Sequence, residues 1–88
     1  MDAGTFARLL EQEGYLQIVT VEREADGGMA EHSHPFEAKA LILDGEIRII
    51  AGSEACRYLP GDIFYLRANE THTESYGPQG VKYLVGRK

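Results

Sequence analysis

Turn-forming dipeptides break this sequence at short intervals, and this feature constrains the fold more than any other. Asp26-Gly27, Asp44-Gly45, Gly52-Ser53 and Pro60-Gly61 separate runs rich in Val, Ile, Leu and Tyr. Runs of about 4 to 8 such residues between turn signals are typical of β-strands, because helices need longer uninterrupted segments. About 7 or 8 short strands at this spacing predict an all-β fold, a small antiparallel β-barrel or jelly roll.

The predicted strands cover most of the chain after residue 14. Asp44-Gly45 is the strongest hairpin signal, because both central residues of a type I′ turn need positive φ, and it predicts that the runs on either side pair with each other. Apolar alternation at residues 13–19 and 80–88 predicts sheet edges, which need cover, and therefore a homodimer. The predicted strands are 15–22, 29–34, 38–43, 47–51, 55–59, 62–66, 72–76 and 81–86.

The first residues of the chain predict a short helix. Phe6 and Leu10 recur at helical spacing. Asp2 or Thr5 is suited to cap the start of this helix, and Gly14 is suited to end its last turn. The expected organisation is a helix at about 3–13 and a barrel at about 15–87 within one domain, 1–88.

Length, charge and cysteine content limit the class of protein. A chain of 88 residues buries only about 60 to 65% of its unfolded surface, so its core is thin. The net charge of −5 is spread along the chain and argues against nucleic acid and anionic membranes as partners. Cys56 is the only cysteine, which favours a reducing compartment. With no leader signal and no long apolar stretch, we expect a soluble, cytoplasmic protein.

All three histidines fall at positions where they can meet. On a strand, His32 and His34 project from the same face with Cα atoms about 6.6 to 6.8 Å apart, which suits one shared metal ion. His72 lies on a late strand, and strands distant in sequence often become neighbours in a jelly roll. Glu74 shares the inward face of His72, where a carboxylate is costly without a cation. It is therefore a fourth ligand, an acceptor for a histidine N–H, or a solvated group at the barrel mouth.

These residues stand in two stretches through which the sequence resembles the cupin family. "HSHPFEAKALILDG", preceded by Gly27 or Gly28, is similar to the first cupin motif, with Gly45 as its closing glycine. "PGDIFYLRANETH" is similar to the second motif and places His72 at the position of its histidine. The resemblance covers roughly residues 15 to 86. It implies a jelly-roll barrel that binds one divalent transition metal (Fe, Mn, Ni or Zn) through His32, His34 and His72.

The sequence departs from the family pattern at the glutamate of the first motif. Ala38 occupies that position, and Glu37 stands one residue earlier. A shift of one residue moves a side chain to the opposite face of a strand, unless Pro35 introduces an irregularity. Glu37 is therefore a weaker candidate ligand, and a cupin that has lost its metal is an alternative. Tyr76 occupies the position of an asparagine in the second motif, so no role can be transferred to it.

Several other side chains have a structural and a functional interpretation. A free cysteine is commonly buried, so Cys56 is predicted to be a small buried residue rather than a ligand. Strand tyrosines favour packing, with a place in a pocket as the alternative for Tyr65 and Tyr76. Arg67 is either solvated or, if it faces the barrel mouth, able to hold a carboxylate by a bidentate contact.

The expected function is a metal-binding small cupin, with a small organic metabolite as ligand or substrate. A metal-dependent enzyme of dioxygenase, isomerase or lyase type is one hypothesis. A non-catalytic small-ligand binding or sensing module and a structural dimeric barrel are the alternatives, since one barrel hosts many chemistries. The sequence contains no Gly-rich phosphate loop and no nucleophile elbow.

Overall fold

One α-helix and six antiparallel β-strands make up the protein in the computed structural model, which describes residues 1–88. The single helix, with 10 residues, is too short to span a bilayer. The elements are α1 (Ala3–Gln12), β1 (Gln17–Arg23), β2 (Gly28–His32), β3 (Ala38–Ala51), β4 (Glu54–Tyr58), β5 (Ile63–Leu66) and β6 (His72–Arg87).

Two long strands, β3 and β6, form the centre of the sheet and pair with each other from Ala38↔Arg87 to Ala51↔His72. One end of this pair is flanked by β1 and β5, and the other end by β2 and β4. The antiparallel all-β fold with a short N-terminal helix is therefore confirmed. The sheet is not closed into a barrel, because each of the four short strands pairs on one side only.

The predicted hairpin at Asp44-Gly45 is wrong, since the dipeptide lies inside the continuous strand β3. The register shifts on both sides of it, and Gly45 has a φ of 72°. Gly80 of β6, which precedes Val81, the pairing partner of Gly45, also has a φ of 72°, and a Cβ on Gly45 would stand 2.1 Å from the Gly80 carbonyl oxygen. The two glycines allow both long strands to bend at the same point. Residues 77–80, which lie between the predicted strands 72–76 and 81–86, accordingly belong to β6.

Apolar side chains alternate along the strands and produce two separate clusters. The inner face carries the main core, to which β3 contributes Ala38, Ala40, Ile42, Ile47 and Ile49. On the outer face, α1 packs Phe6 and Leu10 against Tyr15 and Leu41. The predicted cap is present, because the Asp2 side chain accepts a hydrogen bond from the Thr5 N–H at 2.8 Å. The inner face is the one that carries the functional side chains described below.

Two predictions about sheet edges need correction. Cys56 is exposed rather than buried, because β4 pairs only with β3 and Glu54 to Arg57 all face solvent. The terminal segment 80–88 is not an edge, since β6 pairs with both β1 and β3 there. β1 is an edge strand, as predicted for residues 13–19.

Candidate metal centre

The three histidines converge on the inner face. One ring nitrogen from each of His32, His34 and His72 lies within 4.8 Å of the others. His32 and His72 are direct partners across β2 and β6, with ring centroids 4.3 Å apart. His34 lies beyond β2, which ends two residues earlier than predicted, and its carbonyl accepts a hydrogen bond from Asn69 N at 2.7 Å. The predicted convergence is thus present, and His32 and His72 lie on strands as predicted, whereas His34 does not.

The hydrogen bonds of His32 and His72 determine which ring nitrogen faces the cluster. The Nδ1 of His32 is 2.7 Å from the Ala30 carbonyl, and the Nδ1 of His72 is 3.0 Å from the Glu70 carbonyl. Because a carbonyl oxygen can only accept, we assign the proton to Nδ1 in both rings. In the neutral state, each Nε2 then presents a lone pair to the centre of the cluster.

Glu74 lies against these two nitrogens. Its Oε2 is 3.3 Å from Nε2 of His32 and 3.1 Å from Nε2 of His72, and its side chain is only 8% exposed. The Tyr76 hydroxyl donates to the other oxygen, Oε1, at 3.1 Å. Burial raises the pKa of Tyr76, and the charge of Glu74 adds to this shift, so the hydroxyl stays protonated as a donor. The inward orientation expected for Glu74 is the one observed.

The remaining ligand candidate, His34, is held by packing. Its ring stacks on Phe36 with centroids 4.5 Å apart and an interplanar angle of 3°. Its Nδ1 is buried without a hydrogen-bond partner. Burial lowers the pKa of His34, which keeps the imidazole in the neutral form that coordinates metals.

The donor set fits a transition metal. Two lone pairs that face one carboxylate oxygen repel each other unless a cation lies between them, either a proton or a metal ion. Three imidazole nitrogens and one carboxylate oxygen are ligands that iron, manganese, nickel and zinc accept. At bond lengths of about 2.1 Å, two nitrogens on one ion are at most about 4.2 Å apart, so the cluster needs only small side-chain movements to close on an ion.

The structure does not bring Glu37 to this cluster. Glu37 lies on the outer face, where its carboxylate accepts a hydrogen bond from the Tyr65 hydroxyl at 2.5 Å and lies 3.4 Å from Nζ of Lys88. The hydrogen bond from Tyr65, with help from Lys88, lowers the pKa of Glu37. Ala38, the next residue, is buried on the inner face. Strand alternation therefore explains why Glu37 faces outward, and Pro35 does not restore an inward orientation.

The other pocket candidates have different surroundings. Tyr65 is half exposed and donates a hydrogen bond to Glu37, whereas Tyr76 is buried and donates one to Glu74. Arg67 is exposed at the end of β5 and lines no cavity.

A cavity of about 80 Å³ lies beside His34 and is bounded in part by Phe36, Arg23 and Arg87. The sequence reasoning missed these three residues. Strand alternation could have indicated that both arginines face inward. Arg23 is two residues after Val21 and Arg87 is two residues after Val85, and both valines pack in or against the main core. A larger open groove of about 350 Å³ lies elsewhere, around Asp44 and Pro78, and contains no histidine.

Comparisons with known proteins agree with this architecture. The family model described as Cupin domain matches residues 17–84. A protein of unknown function from Rhizobium leguminosarum bv. viciae 3841 has a TM-score of 0.75 at 17% identity, over 80% of this chain and 66% of its own. KdgF from Halomonas sp. has a TM-score of 0.65 at 20% identity, over 81% and 67%. At these identities the likeness concerns the fold alone.

A third structure is more similar in sequence. The DMSP lyase DddQ from Ruegeria pomeroyi DSS-3 has a TM-score of 0.73 at 25% identity, over 81% of this chain and 36% of its own. The chain therefore spans from 36% to 67% of the length of these three proteins. No curated protein matches the sequence.

Proposed function

Because this chain belongs to the Cupin domain family, we propose that it binds one divalent transition metal through His32, His34 and His72, with Glu74 as a further ligand or direct neighbour. We propose that the metal serves the transformation of a small organic metabolite, by lyase, isomerase or dioxygenase chemistry. A bound ion of this kind acts as a Lewis acid that polarises an oxygen atom of the substrate, or as a redox centre.

One observation carries the proposal. Nε2 of His32 and Nε2 of His72 both lie within 3.3 Å of the same oxygen of Glu74, while both Nδ1 atoms are taken by backbone carbonyls. Such an arrangement of acceptors is favourable only around a cation. The backbone carbonyls orient the two rings, and the Tyr76 hydroxyl orients the carboxylate, so the ligands are held in advance of binding.

Lyase chemistry has one additional support. DddQ, a quarter identical to this chain, is described as a DMSP lyase. A lyase needs a group that can exchange a proton with the substrate, and the Tyr76 hydroxyl, which donates to Glu74 at the histidine cluster, is a candidate for this role. The small cavity beside His34 also favours the second candidate, a module that binds a small ligand without chemistry.

Two predictions from the sequence stay predictions. A homodimer is favoured by the open edge of β1 and by Leu16, which precedes it and is 94% exposed. A cytoplasmic location is favoured by the single free thiol of Cys56.

Elemental analysis of protein purified without a histidine tag tests the metal proposal, with His32→Ala as the matched variant. We expect near-stoichiometric iron, manganese, nickel or zinc that is lost in the variant. Binding should also weaken as the pH falls through the ordinary imidazole range near 6.5, because only neutral imidazole coordinates. Absence of metal from both proteins after metal is offered, or undiminished binding at pH 5, would overturn the proposal.

Turnover requires a separate experiment on the metal-loaded protein. Small organic acids and their esters are incubated with wild-type protein and His32→Ala, and products are detected by NMR. Product formation that depends on His32 supports an enzyme, whereas saturable binding without product supports the binding module.

A further inference from the structure

Two arginines line the same cavity, Arg23 as an exposed residue and Arg87 as a half-buried one. Arg23 is at the end of β1, beside the bend of the long strands, and Arg87 is at the end of β6. The cavity of about 80 Å³ is bounded by both of them. Neither guanidinium forms an ion pair with an acidic side chain, although the protein carries 14 acidic residues. Two positive charges at one cavity therefore remain available to a ligand.

Tyr83 lies in the wall of the same cavity, and its side chain is buried. Burial raises the pKa of Tyr83 and the charge of Glu74 adds to this shift, while the charges of Arg23 and Arg87 act in the opposite sense. Arg87 is also placed over the ring of Phe36, with its guanidinium carbon 5.3 Å from the centroid.

The rest of the wall is apolar. Phe36, Phe64, Leu66 and Val85 line it, and His34 separates it from the other two histidines. A wall of this kind favours a hydrocarbon group, and arginine favours a planar anion that it can bind through two parallel hydrogen bonds. With a volume of about 80 Å³, the cavity accommodates only a small ligand.

We propose that this cavity binds a short aliphatic carboxylate, with the carboxylate on Arg23 and Arg87 and the hydrocarbon against Phe36, Phe64 and Leu66. The inference deepens the proposed function, because it rests on the adjacent histidine cluster and names its substrate class as small carboxylic acids. An acid of two to four carbons held in this way lies next to His34. Its binding contacts are independent of the metal.

Titration with propionate tests the inference by NMR chemical-shift changes, in metal-loaded and metal-free protein. Propionamide is the matched neutral probe, since it has the same shape without the charge. We expect propionate to bind at least about ten-fold more tightly than propionamide. Arg23→Gln and Arg87→Gln should each weaken propionate binding about ten-fold. Arg67→Gln removes the same charge from a position outside the cavity and should change it less than about two-fold.

Three results would overturn the inference. The first is that propionamide binds as tightly as propionate. The second is that Arg67→Gln weakens propionate binding as much as the other two variants do. The third is that removal of the metal abolishes propionate binding while the arginine variants leave it intact. In the last case the metal alone holds the carboxylate, and the proposed function stands without this cavity. Conversely, arginine-dependent binding by a protein that takes up no metal supports the inference while the metal proposal fails.

Substitution by lysine provides a second series of variants if the glutamine variants do not fold. Arg23→Lys and Arg87→Lys retain the charge but lose the planar fork, so we expect a loss of affinity smaller than that of the glutamine variants. Lysine variants with unchanged affinity and an unchanged preference over propionamide would overturn bidentate recognition.

Discussion

Glu74 and Glu37 are two carboxylates with similar partners and different roles. Each accepts a hydrogen bond from a tyrosine hydroxyl, Glu74 from Tyr76 and Glu37 from Tyr65, and each lies beside at least one basic side chain. Glu74 is on the inner face with a side chain 8% exposed, and Glu37 is on the outer face with a side chain 28% exposed. The same chemistry thus belongs to a candidate metal centre on one face and to a surface ion pair on the other. Strand alternation alone separates the two.

The largest expected difference between the two faces concerns metal content. His72→Ala removes an inner-face ligand that is 1% exposed and should abolish metal binding. Glu37→Ala removes an outer-face carboxylate and should leave the metal content unchanged. Elemental analysis of both purified variants measures this. The reverse result would mean that the register of the strands around the histidines differs from the one described.

Removal of only the charge compares the two glutamates directly. Glu74→Gln should lower metal affinity by about 10- to 100-fold, because a carboxylate in contact with two histidine ligands is lost. Glu37→Gln, which loses the same charge, should lower it less than about two-fold. Competition with a chelator of known affinity measures both values. Equal losses in the two variants would show that long-range charge, and not contact, is responsible.

The two tyrosines are the next comparison. Tyr76→Phe leaves Oε1 of the buried Glu74 without its donor, which should cost about 1 to 3 kcal/mol of stability and up to about ten-fold in metal affinity. Tyr65→Phe should have a smaller effect on stability and none on the metal, because Glu37 keeps Lys88 and solvent. Chemical denaturation and chelator competition provide the two readouts. A stronger effect from Tyr65 would contradict the assignment of the faces.

The smallest effect is a pH dependence on the outer face. The folded-state pKa of Glu37 is below its ordinary value of 4.5, so the unfolded chain binds the proton more readily than the folded protein. Its contribution to stability is present above pH 4.5 and is lost as the pH falls through the folded-state pKa. Glu37→Gln should therefore have a slightly lower Tm than the wild type at pH 7, and the difference should shrink below pH 4.5.

A background variant isolates this contribution. In Tyr65→Phe the main cause of the pKa shift is absent, so Glu37→Gln should then alter the Tm much less. The Tm difference caused by Glu37→Gln could instead stay constant from pH 7 to pH 3, or be the same with and without Tyr65→Phe. Either result would show that the Tyr65 hydrogen bond is not its cause.

Local periodicity was enough to predict much of the inner face. The two-residue spacing of Glu74 from His72 predicted that its side chain faces inward, and the same rule applied to His32, because side-chain alternation is a property of a single strand. It also indicated that Glu37 and His34 face opposite ways. Long-range pairing was not accessible in this way. Asp-Gly often forms the turn of a hairpin, but here Asp44 and Gly45 pair with Lys82 and Val81, which are distant in the sequence, and the strand continues.

Exposure at the ends of the sheet was unpredictable for the same reason. The burial of Cys56 depends on whether a further strand lies beside β4, and no strand does. Arg23 and Arg87 have ordinary positions in the sequence, and only the fold brings the ends of β1 and β6 to one cavity. These features depend on tertiary arrangement, which local patterns do not encode.

The register of β3 and β6 also has a consequence for the order in which the chain folds. Ala51 pairs with His72, whereas Ala38 pairs with Arg87, so the loop that must close is much shorter at the first pair than at the last. Since a shorter loop loses less entropy on closure, we expect pairing to begin at Ala51 and His72. It should then extend along both strands until Ala38 pairs with Arg87. His72 then reaches its place early, and His32 completes the cluster only when β2 docks on the finished strand.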